Sequence, residues 1–298
     1  MPATLITGAT GKQGGAVINA LLRNNAAFEI LAVTRNAQSS SAQRLANKSP
    51  KIRLVEGNLD EPATLFQNAR KTTSAPIWGV FSVQSAFGKG EERQGKALVD
   101  EALKHGVKHF VYSSVDRGGA ASIDNPTGIP HFVTKHRIEQ HLLARSRDSD
   151  MRWTVLRPVA FMDNLTPDFG GKVFATMWRM ALKGKPLQLI ATSDIGLYAA
   201  DAFLQPDQYR DRFISLAGDD LTFTQMANIF QSKTGTSVPT TFELPCRLLM
   251  ATMAEMGTMF RWFHDEGYRA DIAALRKDHP GLKDFASWLE TESGFLPH

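Results

Sequence analysis

The chain has little with which to cross-link itself or hold a metal. Cys246 is the one cysteine among 298 residues, which excludes an internal disulfide framework. No cysteine–histidine spacing suits zinc, and His136 and His141, five apart, share no helix face for a metal pair, so no metal is expected. A reducing, cytoplasmic compartment fits this cysteine usage. A long apolar run is also lacking. The most apolar later stretch, Leu244–Phe263, is broken by Arg247, Glu255 and Arg261, so it is expected to be an amphipathic, mostly buried helix and not a membrane span. The residues Met1 to Thr7 lead straight into a strand-like segment with no sign of a targeting signal. Charge of one sign is scarce too: 34 Lys and Arg against 30 Asp and Glu leave +4. The densest basic stretch, Arg44–Arg53, has no interleaved aromatic, which argues against nucleic acid as a partner. No internal repeat, no low-complexity tract beyond Ser39–Ser41 and no Gly-x-Ser-x-Gly hydrolase elbow is present.

What is there is alternation. With 43% hydrophobic and 21% charged residues the chain can bury a large core. Thr4–Thr7, Ile30–Thr34, Ile52–Val55, Ile77–Val83, Phe110–Ser113 and Trp153–Leu156 read as strands separated by helical stretches. Val17, Ala20 and Leu21 mark the first helix; Ala97, Leu98, Ala102 and Leu103 mark a later one, closed by Gly106. Such alternation predicts an α/β protein, a Rossmann-like doubly wound parallel sheet. After Pro158 the rhythm loosens into helices through Trp178, Met180, Leu182 and through Met226, Ile229, Phe230, with strand candidates at Phe213–Leu216 and Val238–Phe242. The expected division is a dinucleotide-binding domain over residues 1–155 and a smaller substrate- or partner-binding α/β lobe over 156–298, partly returning to the first sheet. The methionine stripe Met250, Met253, Met256, Met259 reads as one face of a packed helix.

Gly8-Ala9-Thr10-Gly11-Lys12-Gln13-Gly14 follows the first strand and opens the first helix. Glycines at this spacing let the chain turn tightly, let backbone N–H groups approach a pyrophosphate, and let helix pack on strand. Where an NAD enzyme offers a carboxylate to the ribose, at the end of the second strand, this chain has Val33-Thr34-Arg35-Asn36. A guanidinium there suits a 2′-phosphate, so NADP(H) is the expected cofactor.

These segments, with Glu91–Lys96, Val111–Ser114, His131–Glu139, Leu156-Arg157-Pro158, Phe161–Asn164, Asp194-Ile195-Gly196, Arg261–Phe263, Gly267-Tyr268 and Trp288-Leu289, make the chain resemble the NmrA-like family of atypical short-chain dehydrogenases, related to isoflavone-reductase-like proteins. The resemblance implies that Gly8, Thr10, Gly11, Lys12, Gln13 and Gly14 surround the phosphates and that Arg35 and Asn36 meet the adenosine phosphate. It implies further that Asn58 and Leu59 flank the adenine, that Gln84 and Ser85 lie along the cofactor, and that Phe161 to Asn164 border the nicotinamide. The family includes reductases and also regulators that sense the NADPH/NADP⁺ ratio and bind protein partners.

Typical short-chain dehydrogenases place Tyr four residues before Lys. Here Lys135 is present and the position four before it is His131. The usual proton donor is therefore absent, and His131 or Lys135 itself must take its place if ketone-type reduction occurs. Ser113 or Ser114, after the fifth strand, could orient a substrate oxygen. The alternative for Lys135 is a binding role at the ribose alone, with His131 merely opening a helix. Two functions follow: an NADPH-dependent reductase of a small hydrophobic carbonyl or conjugated compound, or a catalytically silent NADP(H)-sensing regulator acting through protein partners.

Overall fold

The computed structural model describes residues 1–85 and 90–296. Ten strands are present among them: β1 (Ala3–Ile6), β2 (Glu29–Thr34), β3 (Ile52–Glu56), β4 (Ile77–Ser82), β5 (His109–Ser113), β6 (Arg152–Pro158), β7 (Ala160–Phe161), β8 (Leu187–Ile190), β9 (Arg212–Leu216) and β10 (Asp219–Leu221). The first five connections carry α1 (Lys12–Arg23), α2 (Ser40–Ala46), α3 (Pro62–Thr72), α4 (Glu91–Lys104) and α5 (Pro130–Ser146). Later come α6 (Phe169–Leu182), α7 (Thr192–Leu204), α8 (Pro206–Tyr209), α9 (Phe223–Thr234), α10 (Glu243–Thr252), α11 (Ala254–Asp265), α12 (Ile272–Asp278) and α13 (Phe285–Thr291).

The alternation resolves into a seven-stranded sheet of order β3-β2-β1-β4-β5-β6-β9, with parallel pairing from β3 across to β6. Three successive strands lie to one side and the chain then returns to the other side of β1. The reversal between β1 and β4 is the topological switch point at which open α/β sheets bind ligands. The Rossmann-like doubly wound expectation is borne out.

The chain divides into two compact units, and it passes between them several times. The first comprises Met1–Ser114, Thr134–Arg157 and Ser193–Ile214; the second comprises Val115–Val133, Pro158–Thr192 and the chain from Ser215 on. The core of the first is built from Leu5, Leu31, Val80, Phe110 and Val155 on five strands, covered by Leu65, Leu98, Ile138 and Leu142 from helices. Each such side chain stabilises the fold by roughly 1.5–3 kcal/mol through burial. Helix α1 contributes Val17, Ile18, Ala20 and Leu21, one apolar stripe at helical spacing. Gly106, with φ +71°, ends α4 as expected, its N–H donating to Leu103 O at 3.0 Å. His109 on β5 is 1% exposed, bonded to Thr154 Oγ1 at 2.8 Å, and burial pulls its imidazole down to about 4.

The second unit is organised on a three-stranded sheet, β10-β8-β7, with β10 antiparallel and β7 parallel to β8. Its core is aromatic: Trp178, Phe230, Phe260, Phe263, Phe285 and Trp288 are all buried. Two expectations fail here. Val238–Phe242 is irregular chain, not a strand; Pro239 can donate no ladder hydrogen bond, and Thr241 N goes instead to Thr176 Oγ1 at 2.9 Å. Leu244–Phe263 is two helices, α10 and α11, broken at Met253 (φ −95°, ψ 85°), and it is not mostly buried. In α10 Cys246 alone is fully buried, while Leu244 and Leu248 are 78% and 64% exposed. Apolar residues four apart occupy the outward face as well as the inward one, so composition overstated burial. Of the methionine stripe, Met250, Met256 and Met259 pack on the core and Met253 is exposed. No helix among the described residues is long and apolar enough to cross a membrane.

Candidate cofactor and active site

The glycine turn sits at the switch point, between β1 and α1, and its three glycines do different work. Gly8 has φ +60°, a conformation L side chains rarely adopt, and a Cβ there would stand 2.8 Å from Val83 Cγ1. Gly14 is buried, and a Cβ would lie 2.4 Å from Gly8 O, so this glycine lets the helix press against the turn. Gly11 caps α1 and is exposed; its N–H bonds Gly8 O at 2.9 Å, and a Cβ would meet the same oxygen at 3.2 Å. No side chain caps α1 and its first turn carries no acid. The helix therefore offers its first N–H groups and its positive dipole end to an anion. Thr10 and Lys12 are exposed on this turn and Gln13 is half-buried.

Beside it, Thr7 Oγ1 accepts Val83 N at 2.9 Å and ties β1 to the end of β4. Gln84 follows, 6% exposed, with Nε2 donating to Ser82 Oγ at 2.9 Å. Its Oε1 is buried without a hydrogen-bond partner among the described residues. Such an acceptor costs about 1–3 kcal/mol until a donor reaches it, and a cofactor hydroxyl or amide is a chemically suitable one. Ser85 is exposed at the same strand end.

At the end of β2, Arg35 is exposed and forms no ion pair among the described residues. Asn36 is occupied in shaping the turn: its Oδ1 accepts Gln38 N at 2.8 Å. Asn58 likewise closes a turn, accepting Asp60 N at 3.1 Å, and Leu59 is half-buried against the core.

Lys135 lies on α5, 8% exposed. Its Nζ is 2.9 Å from Glu91 Oε1, approaches Ser113 O at 3.4 Å, and stands 5.9 Å from the Tyr112 ring centre. Glu91, 4% exposed, also accepts Thr134 Oγ1 at 2.6 Å through its other oxygen. Ser113 Oγ donates to Gln13 Oε1 at 2.5 Å, which links the lysine's surroundings to the glycine turn. The two candidate serines separate here. Ser114 Oγ donates to Glu139, whose carboxylate holds Arg157 through two bonds of 3.1 and 2.7 Å; the guanidinium rests 3.9 Å from the Phe213 ring centre. Ser114 thus serves a buried ion pair, and Ser113 is the serine associated with Lys135.

The remaining expected site residues belong to the second unit. His131 Nδ1 is 2.5 Å from Glu255 Oε1, and the same oxygen accepts His131 N at 3.2 Å. Phe161 is half-buried on β7, paired in register with Ile190, and Asn164 is exposed. Between them Asp163 accepts Thr192 Oγ1 at 2.7 Å and Thr192 N at 3.0 Å. A cleft of about 450 Å³ in this unit is lined by Met250, Phe260, Arg261 and His264 among others, and by none of the expected site residues.

The sequence reading missed the carboxylates: Glu91 beside Lys135 and Glu255 beside His131. Glu91 opens α4, where an acid reads as a complement to the helix dipole. Its pairing across the fold has no local signal.

Among curated proteins, an NmrA-like family domain-containing oxidoreductase of Aspergillus hancockii is 32% identical, the alignment covering 79% of this chain and 74% of that protein. Among solved structures, the Citrobacter sp. triphenylmethane reductase complexed with NADP(H) superposes with a TM-score of 0.74 at 20% identity, over 97% of this chain and 99% of that one. NmrA, a negative transcriptional regulator, in complex with NADP, gives 0.68 at 15% identity, over 98% and 95%. At these identities the two structures establish the shared fold. The sequence pattern of the NmrA-like family matches residues 3–288, and the chain belongs to that family.

Proposed function

We propose that the chain is an NADP(H)-dependent reductase of a small hydrophobic carbonyl or conjugated compound. The observation that carries this reading is the buried lysine: Lys135, ion-paired to Glu91, lies on the same network as Gln13 of the glycine turn through Ser113. Gly8 to Gly14 would hold the pyrophosphate by their backbone, Arg35 the 2′-phosphate, and Gln84 Oε1 a cofactor donor. When bound, NADPH supplies the hydride. The lysine's remaining donor would hold a ribose hydroxyl or assist a proton to the reduced oxygen, and Ser113, on releasing Gln13, would orient that oxygen. Lys135 is better supported than His131 as the proton donor, because it shares a unit with the glycine turn.

A second reading, the catalytically silent cofactor-sensing regulator, is favoured by one observation. Both candidate donors are engaged by carboxylates, Lys135 by Glu91 and His131 by Glu255. NADPH oxidation over a panel of quinones, enones, aromatic ketones and triphenylmethane dyes separates the readings. A reductase turns over some member, and Lys135→Ala loses kcat about 10²–10⁴-fold beyond any loss of NADPH affinity. That substitution strands a buried carboxylate, so Lys135→Ala/Glu91→Gln is assayed beside it. Turnover that survives in both variants at saturating NADPH would remove Lys135 from the chemistry. Tight NADPH binding with no turnover across the panel favours the regulator.

A further inference from the structure

We propose that Glu56 is a specificity-determining residue, a carboxylate that limits how strongly the turn after β2 prefers a 2′-phosphate. The inference rests on the cofactor reading above and deepens it. Thr34, the last residue of β2, pairs with Glu56, the last of β3, and Gly57 N donates to Thr34 O at 2.9 Å. The register brings the Glu56 side chain to the turn that carries Arg35, where Oε2 accepts Ala37 N at 3.0 Å.

The other amides of that turn are used internally. Asn36 N donates to Thr34 Oγ1 at 3.3 Å, Gln38 N to Asn36 Oδ1 at 2.8 Å, and Ser39 N to Asn36 O at 3.2 Å. Backbone N–H groups in a turn are ready anion donors. From Asn36 to Ser39, the one left over by these bonds, Ala37 N, is taken by a carboxylate. A phosphate arriving at Arg35 therefore finds the turn's own cation and no spare amide among these four, with the Glu56 carboxylate bonded to the same turn. Glu56 is exposed and forms no ion pair among the described residues. NAD(H), which has no 2′-phosphate, is indifferent to it.

Glu56→Gln removes the charge and keeps an acceptor for Ala37 N, which preserves the turn. Calorimetric titration is run with NADP⁺ against NAD⁺, and with 2′,5′-ADP against 5′-AMP, on wild type, Glu56→Gln and Arg35→Ala. In Glu56→Gln, NADP⁺ and 2′,5′-ADP should bind about three- to tenfold more tightly, the effect of one unit charge several ångströms away near a surface. NAD⁺ and 5′-AMP should stay within about twofold, and the gain should shrink with added salt. Equal shifts for ligands with and without the 2′-phosphate, or weaker NAD⁺ binding, would overturn the role of Glu56. In that case a selective loss of NADP⁺ in Arg35→Ala leaves the cofactor reading standing. No selective loss in Arg35→Ala overturns the cofactor reading and this inference with it.

Discussion

Gly14 in the first unit and Gly257 in the second are two of the glycines that let backbone meet backbone. In the first unit a Cβ on Gly14 would lie 2.4 Å from Gly8 O; in the second a Cβ on Gly257 would lie 2.3 Å from Met250 O, where α11 passes α10. Around Gly14 the helix is committed to its core, burying Val17, Ile18, Ala20 and Leu21. Around Gly257 the neighbouring α10 buries Cys246 and leaves Leu244 and Leu248 outside. The close approach has equal steric force in both. It carries a readable meaning only in the first, where it recurs at a spacing that phosphate binding requires and where helix and strand fall in register around it.

The largest effect should come from filling those approaches. Gly14→Val and Gly257→Val should each lose about 3 kcal/mol or more of stability, because backbone cannot yield as a flexible side chain does. Urea unfolding measures both. Gly11→Val meets only a 3.2 Å contact and sits exposed, so it should stay folded and lose NADPH binding by more than about 100-fold. A Gly11→Val protein that binds NADPH normally would break the distinction between the packing glycine and the ligand glycine.

Protonation should sharpen the comparison next. His109 is held neutral in the first unit's core down to about 4, against an ordinary 6.5. Between those values the unfolded chain takes up a proton that the folded chain refuses. Stability is therefore intact above pH 6.5 and falls by ~3 kcal/mol as pH drops toward 4. His109→Gln should flatten that part of the profile in denaturant titrations across pH. An unchanged slope would show that the acid sensitivity lies elsewhere.

A smaller effect belongs to Arg35. Charge-assisted hydrogen bonds of about 1.5–3 kcal/mol correspond to roughly 10- to 150-fold, so Arg35→Ala should lose that much NADPH affinity and little NADH affinity. Equal losses for both cofactors would detach Arg35 from the 2′-phosphate. The smallest effect is expected on α10: Leu244→Ser and Leu248→Ser should each change stability by no more than about 0.5 kcal/mol. A loss of 2 kcal/mol or more at either would mean the face is covered in solution.

The first six strands, the helices between them and the glycine turn were legible in the sequence, because period and punctuation are local properties. Leu244–Phe263 shows where that legibility stops. Its composition suggested one buried helix, but which face meets a neighbour is set by the rest of the chain, and the break at Met253 has no proline or glycine to announce it. The site divides in the same way. Gly8, Gly11, Gly14 and Arg35 declare themselves by type and spacing, since the chemistry expected of them is performed by backbone or by a single charge. Lys135 declared its presence but not its partner. Glu91 lies 44 positions away in the chain, and only the packing of α4 beside α5 within the first unit, with Gly95 admitting Ile138, brings the carboxylate to 2.9 Å. The sequence by itself determined the doubly wound sheet and the turn at its switch point. The tertiary structure decided which charges stand together, because ion pairing depends on distance through space and leaves no period in the chain.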